Sequence, residues 1–228
     1  MTDTLEYKGV KIRYLGHSGF IIAKGEYSIV LDPFLTGAPM AVMKPSDIKA
    51  SDILLTHGHQ DHLGDAIEIS KNNQAKITAV MELAEYCTEQ GAETIRVPIG
   101  GTWQYPWGSA QFRYAMHSGF LPDGRPFGQA ASILLNIGGV KIYDLGDTAL
   151  QQDFKLVGEI YKPDIAFVPI GGRANMNINE ALVAARWLGA GIVVPIHYDL
   201  YTEGSVDPFE FKSKLESTTN IQCMVMRP

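Results

Sequence analysis

Short apolar runs separated by glycine dominate the chain. Residues 11–15, 20–23 and 28–31 read as strands, parted by Gly16-His17-Ser18-Gly19 and by a turn around Gly25. An apolar stretch at 52–56 predicts a further strand, followed by a helical pattern from about 65 to 71. A strand at 77–80 and a helix at 81–90 come next, the helix closed by Gly91. Gly100-Gly101 and Trp107-Gly108 punctuate a hairpin leading into 111–116. The alternation then repeats, with strands at 132–137 and 140–145 joined by Gly138-Gly139. A helix at 153–161 ends at Pro163, and strand 165–170, helix 179–188 and strand 192–196 follow. A last helix begins at Pro208 with Asp207 as its cap. No low-complexity linker divides the chain. The pattern predicts one α/β domain over residues 1–228: two sheets packed face to face with helices outside, a four-layer sandwich.

Composition narrows the function. Of 228 residues, 46% are hydrophobic and 19% charged, as in a globular enzyme, and such a chain can bury a sizeable core. The net charge of −6, with no basic block, argues against a nucleic-acid partner while leaving a small anionic substrate open. Cys87 and Cys223 lie far apart in unlike contexts and read as free thiols of a reducing compartment. The acidic first six residues carry no apolar signal segment, and no apolar run nears the roughly 20 residues that span a bilayer. A soluble, cytoplasmic protein is expected, with a homo-oligomer left open.

The run His57-Gly58-His59-Gln60-Asp61-His62 places four metal-competent side chains in six residues, directly after the apolar stretch. Imidazoles and a carboxylate crowded at a strand end are costly to bury unless a cation compensates them, and this ligand set suits zinc or a similar first-row metal. A lone histidine is usually structural. Yet His117, Asp147 and His197 each follow a predicted strand, and strand ends are where α/β sites assemble. Ligands at i, i+2, i+4 and i+5 of one loop can divide between two ions.

These residues resemble the signature of the metallo-β-lactamase superfamily: His-x-His-x-Asp-His at 57–62, then His117, Asp147 and His197, with Asp32 in Leu31-Asp32-Pro33-Phe34 matching its first motif. Gly16-His17-Ser18-Gly19-Phe20, Gly146-Asp147-Thr148, Pro169-Ile170-Gly171 and Pro195-Ile196-His197-Tyr198 extend the likeness from about residue 12 to 200. Within the superfamily the chain looks most like small metal-dependent hydrolases related to ascorbate-6-phosphate lactonase and to phospholipase D-like enzymes. The resemblance implies that His57, His59 and His117 hold one ion, that Asp61, His62 and His197 hold a second, and that Asp147 bridges them. It implies the αββα sandwich with two mixed sheets. It also implies a metal-bridging hydroxide as nucleophile against a small ester, lactone, amide or phosphodiester. Zinc is the default metal, with manganese or iron as alternatives. An iron-dependent oxidoreductase of the same fold and a non-catalytic metal-binding protein are the other readings.

Asp32 is expected behind the ligands, accepting hydrogen bonds from the histidine loop. Asp61, His17 and Tyr198 are the candidates for contact with the reacting atoms, His17 at a leaving group and Tyr198 at a developing oxyanion; both also read as packed residues. The loop 171–177 departs from the resembling hydrolases, with Gly172 where they tend to carry Asp, and Arg173 reads as an anion contact or a solvated side chain. Trp103, Tyr105 and Trp107 alternate along one hairpin and read as packing.

Overall fold

A computed structural model describes residues 2–198 and 206–228. Its first sheet runs in chain order. Strands β1 (Thr4–Tyr7), β2 (Val10–Gly16), β3 (Gly19–Lys24) and β4 (Tyr27–Leu31) pair antiparallel. Strands β5 (Asp52–Leu54), β6 (Lys76–Ala79) and β7 (Thr94–Arg96) then continue in parallel. The second sheet repeats this scheme. Antiparallel β8 (Thr102–Tyr105), β9 (Gly108–Tyr114), β10 (Ala131–Ile137) and β11 (Val140–Asp144) precede parallel β12 (Ile165–Pro169), β13 (Ile192–Ile196) and β14 (Gln222–Cys223).

The change from antiparallel to parallel follows from what joins the strands. Two-residue turns such as Gly138-Gly139, both with positive φ (57° and 83°), suit hairpins, whereas parallel neighbours need a crossover. The crossovers hold α1 (Gln60–Leu63), α2 (Ala66–Asn73) and α3 (Met81–Glu89) in the first half, then α4 (Asp153–Ile160) and α5 (Ile178–Leu188) in the second, with α6 (Pro208–Thr218) before β14. Asn177 and Asp207 cap α5 and α6 with their side chains, and Pro208 opens α6 as its spacing predicts.

Two cores explain the layering. One lies between the sheets, where Phe20 and Phe167 stack with ring centroids 3.9 Å apart, and extends under α2 and α3. The other lies between the second sheet and α4, α5 and α6, around Tyr143, Phe154 and Phe211. The αββα sandwich with two mixed sheets is therefore the fold. The aromatic hairpin acts as a fastener between the sheets: Tyr105 and Trp107 stack at 4.4 Å, Tyr105 donates to Thr78 Oγ1, and Trp107 Nε1 donates to Asp52 Oδ2. Trp103 remains exposed. Among the described residues no helix is long and apolar enough to cross a membrane.

Candidate metal centre

Every predicted site residue follows the carboxyl end of a strand: His17 after β2, Asp32 after β4, the histidine run after β5, His117 after β9, Asp147 after β11 and His197 after β13. The two sheets present these ends along one edge. They are tied there by the His17 carbonyl oxygen, which accepts from the His197 backbone N–H at 3.0 Å and from the Tyr14 hydroxyl at 2.9 Å. His17, Asp32 and His197 all adopt left-handed backbone (φ 56°, 38° and 59°), a strained conformation for non-glycine residues that concentrates at functional sites.

The residues gather into two clusters. In the first, His59 Nδ1 lies 3.0 Å from His57 Nε2 and 3.2 Å from His117 Nε2. Both contacts converge on His59 Nδ1, a single nitrogen that in a neutral ring either donates or accepts, so three neutral imidazoles leave one of the two contacts poorly satisfied. Ligand nitrogens around a tetrahedral ion at about 2.0–2.1 Å stand about 3.3 Å apart, so the spacing fits a shared cation. In the second, Asp61 Oδ2 lies 3.0 Å from His17 Nε2 and 3.4 Å from His197 Nε2, and His62 faces the same point. Asp147 Oδ2 stands between the clusters, 3.1 Å from His197 Nε2 and 3.7 Å from both His62 Nε2 and His117 Nε2. The Nε2 atoms of His62 and His197 are buried without a hydrogen-bond partner, as nitrogens aimed at a cation would be.

A supporting layer orients the rings. Asp32, fully buried, accepts from the Thr56 backbone N–H at 2.9 Å, from Thr56 Oγ1 at 2.5 Å and from His62 Nδ1 at 2.7 Å. Because the Thr56 hydroxyl gives its proton to Asp32, its oxygen accepts from His57 Nδ1 at 3.0 Å, which leaves the His57 Nε2 lone pair facing the cluster. Asn175 Nδ2 donates to Asp147 Oδ1 at 2.8 Å. Thr56 and Asn175 escape sequence reasoning. Thr56 had a signal in its place just before the run, and Asn175 lies in the divergent loop.

Charge in the site follows burial and neighbours. Burial lowers the His57 pKa well below the imidazole range, and burial also leads the lowering at His59 and His117, so the first cluster is neutral and ready to ligate. At His62, burial is outweighed by the Asp32 and Asp147 carboxylates, which push it up to about 9. At His197, burial is again outweighed, by Asp147 and Asp61, which push it up to about 10. Asp61 and Asp147 are held far below the carboxylate range: burial opposes this, but His17 and His197 at Asp61, and His197 and His62 at Asp147, overcome it. The second cluster thus attracts positive charge strongly, as protons or as a cation.

Close packing excludes bulk around the first cluster. A Cβ on Gly58 would meet Leu121 Cδ2 at 2.6 Å, and one on Gly119 would meet His59 Nε2 at 1.9 Å. Phe127 sets its ring edge-on to His57 and His59, with centroids 5.3 and 5.0 Å away.

The structure brings His17 into the second cluster, with its ring 4.0 Å from that of His197. It does not support the oxyanion role for Tyr198. That side chain packs on the second core, and its hydroxyl donates to the Met226 carbonyl oxygen at 3.1 Å, which engages its single proton. Arg173 lies on the exposed part of its loop.

The β-lactamase superfamily domain model matches residues 11–197. Over 210 residues the chain is 44% identical to a Geobacillus thermodenitrificans protein named UPF0173 metal-dependent hydrolase, covering 90% of this chain and 93% of that one. The solved structure of Igni18, a metallo hydrolase from the hyperthermophilic archaeon Ignicoccus hospitalis, is 33% identical and aligns with a TM-score of 0.88 over 96% of this chain and 95% of its own. YhfI, a metallo-beta-lactamase fold protein from Bacillus subtilis, shares the fold at 15% identity, with a TM-score of 0.72 over 93% and 89% of the two chains. The matched segment spans the site from His17 to His197, and the chain belongs to the metallo-β-lactamase superfamily.

Proposed function

We propose that this protein is a metal-dependent hydrolase with a dinuclear centre, acting on a small ester, lactone, amide or phosphodiester. The observation that carries the reading is the position of Asp147 Oδ2, which faces the nitrogens of both clusters at once. Its similarity to relatives named as hydrolases points the same way. His57, His59 and His117 would hold one ion, Asp61, His62 and His197 the other, and Asp147 would serve both. Bound divalent ions, with zinc the best match to the His/Asp set, supply Lewis acidity and a water of lowered pKa.

The chain's own residues supply orientation and proton handling. Asp32 and Thr56 lock the imidazoles of His57 and His62, so the ligand atoms need little reorganisation. His17, with Nε2 on Asp61 Oδ2, stands beside the second cluster and would deliver a proton to a departing oxygen or nitrogen. Phe127, Leu121 and Gly119 pack against the first cluster and leave its rings little room to move. The thiols of Cys87 and Cys223 are both free and buried, which suits a reducing cytoplasm.

Elemental analysis of the purified protein, followed by assay against ester, lactone, amide and phosphodiester panels, tests the reading. Two equivalents of a divalent metal and metal-dependent turnover of one panel are expected. A protein that carries iron with visible absorption and hydrolyses nothing would overturn it.

A further inference from the structure

We infer that Asn175 is a positioning residue that selects which oxygen of Asp147 faces the two metal clusters; the inference rests on the dinuclear reading above. Its amide nitrogen holds Asp147 Oδ1 at 2.8 Å, and the nearest approach of the carboxylate to His62, to His117 and to His197 is in each case through Oδ2. A free carboxylate can rotate and offer one oxygen to each of two cations. With Oδ1 engaged by an N–H donor, that rotation costs a charge-assisted hydrogen bond, and the arrangement with Oδ2 shared is favoured. The same hydrogen bond draws electron density from Asp147 and so tunes its strength as a ligand.

The loop is built to hold Asn175 in place. The Gly172 N–H donates to the Met176 carbonyl oxygen at 3.0 Å, closing the loop around Asn175. The Met176 N–H donates to the Thr148 carbonyl oxygen at 3.2 Å, one residue beyond Asp147, while the Met176 side chain is fully buried. Asn177 caps α5 through the N–H groups of Asn179 and Glu180 and receives Glu180 in return. Asn175 is therefore fixed between an anchored strand-end turn and a helix start, and its amide is preorganised. Among the described residues its Oδ1 is buried without a hydrogen-bond partner, so the bond to Asp147 is the hydrogen bond its side chain makes there. The loop that departs from the resembling hydrolases thereby reaches the shared carboxylate directly, which links its sequence to the metal centre as well as to the substrate side.

The test compares the intact wild-type chain with Asn175→Ala, Asn175→Leu and Asn175→Ser, each stripped with chelator and reloaded with zinc or manganese. Folding is checked by circular dichroism before reloading. The readouts are the affinity of each equivalent against a chelating dye, and the exchange-coupled electron paramagnetic resonance signal of the dimanganese form. Asn175→Ala and Asn175→Leu should retain the first equivalent, bind the second about 10-fold or more weakly, and change the coupled signal. Asn175→Ser, which keeps a short donor, should recover part of both. Asn175→Leu keeps the branched outline of the side chain without its donor, so it answers for Asn175→Ala if that variant fails to fold. Second-equivalent affinity within twofold of wild type and an unaltered coupled signal in Asn175→Leu would overturn the role of Asn175 and leave the dinuclear reading standing. A wild-type chain that takes up only one equivalent would overturn both.

Discussion

His62 Nδ1 donates to Asp32 Oδ2 at 2.7 Å, with both side chains wholly shielded from solvent. That bond sets the ring so that Nε2 points into the second cluster. Asp32 accepts three hydrogen bonds in all, with Thr56 supplying the other two donors. In Asp32→Asn the new amide protons would meet one of these donors head-on. Second-ion affinity should fall about 10- to 100-fold, as happens when an outer partner of a ligating histidine is lost, while the first ion stays bound. Titration with a metal-sensitive dye checks this, and equal losses at both equivalents would mean general misfolding.

Asp147 Oδ2 faces both clusters, so its change should be the most severe. Asp147→Asn removes the charge that offsets two cations and should abolish turnover and lower metal content together. Elemental analysis and activity on one preparation decide the matter. A fully active variant with normal loading would refute the shared-ligand role.

His17 separates from the ligands by its expected phenotype. Its Nε2 lies on Asp61, but the second cluster has Asp61, His62 and His197 without it. His17→Ala should keep two equivalents of metal and lower kcat by about 10²- to 10⁴-fold, the usual range for loss of a proton donor. Unchanged kcat would return His17 to a purely structural role.

Gly119 tests the packing around the first cluster. A methyl group there would have to displace the His59 ring, since its Cβ falls 1.9 Å from Nε2. Gly119→Ala should weaken the first equivalent selectively, by about 10-fold or more, with the thermal midpoint of the chelated protein little changed. An unaffected first equivalent would show that the 116–130 loop yields easily.

Much of this cluster is legible in the sequence because its candidate residues obey a local rule. The apolar runs that form β5, β9, β11 and β13 are short and sharply ended, so the polar residues just past them mark one edge of the sandwich. The edge strands β1, β7 and β14 leave no readable signal, since two to four residues carry too little periodicity. Thr56 and Asn175 escape a local pattern for a different reason. Their roles depend on contacts with residues 24 and 28 positions away, which no local pattern encodes. Tyr198 sits beside His197 in sequence, yet its hydroxyl is turned to Met226.

Asp144, at the end of β11, gives the chain a pH dependence of its own. Burial, with the nearby Asp32 charge second, pushes its pKa from the usual 3.8 up to about 8. Its Oδ1 accepts from the Gly146 N–H at 3.0 Å, and its Oδ2 is buried without a partner. Between these two pKa values the folded chain keeps a proton that the unfolded chain releases. Stability from this group is therefore complete below about pH 4 and declines as pH rises, levelling off above about pH 8. Asp144→Asn keeps the acceptor for Gly146 and has no charge to bury. In chelated protein it should match the wild type near pH 4 and be the more stable of the two by several kcal/mol near pH 8, at about 1.4 kcal/mol per pKa unit. Urea unfolding across that window measures the difference. A variant whose stability falls with pH as steeply as the wild type would show that Asp144 is ionised in the fold, and that another group sets the slope.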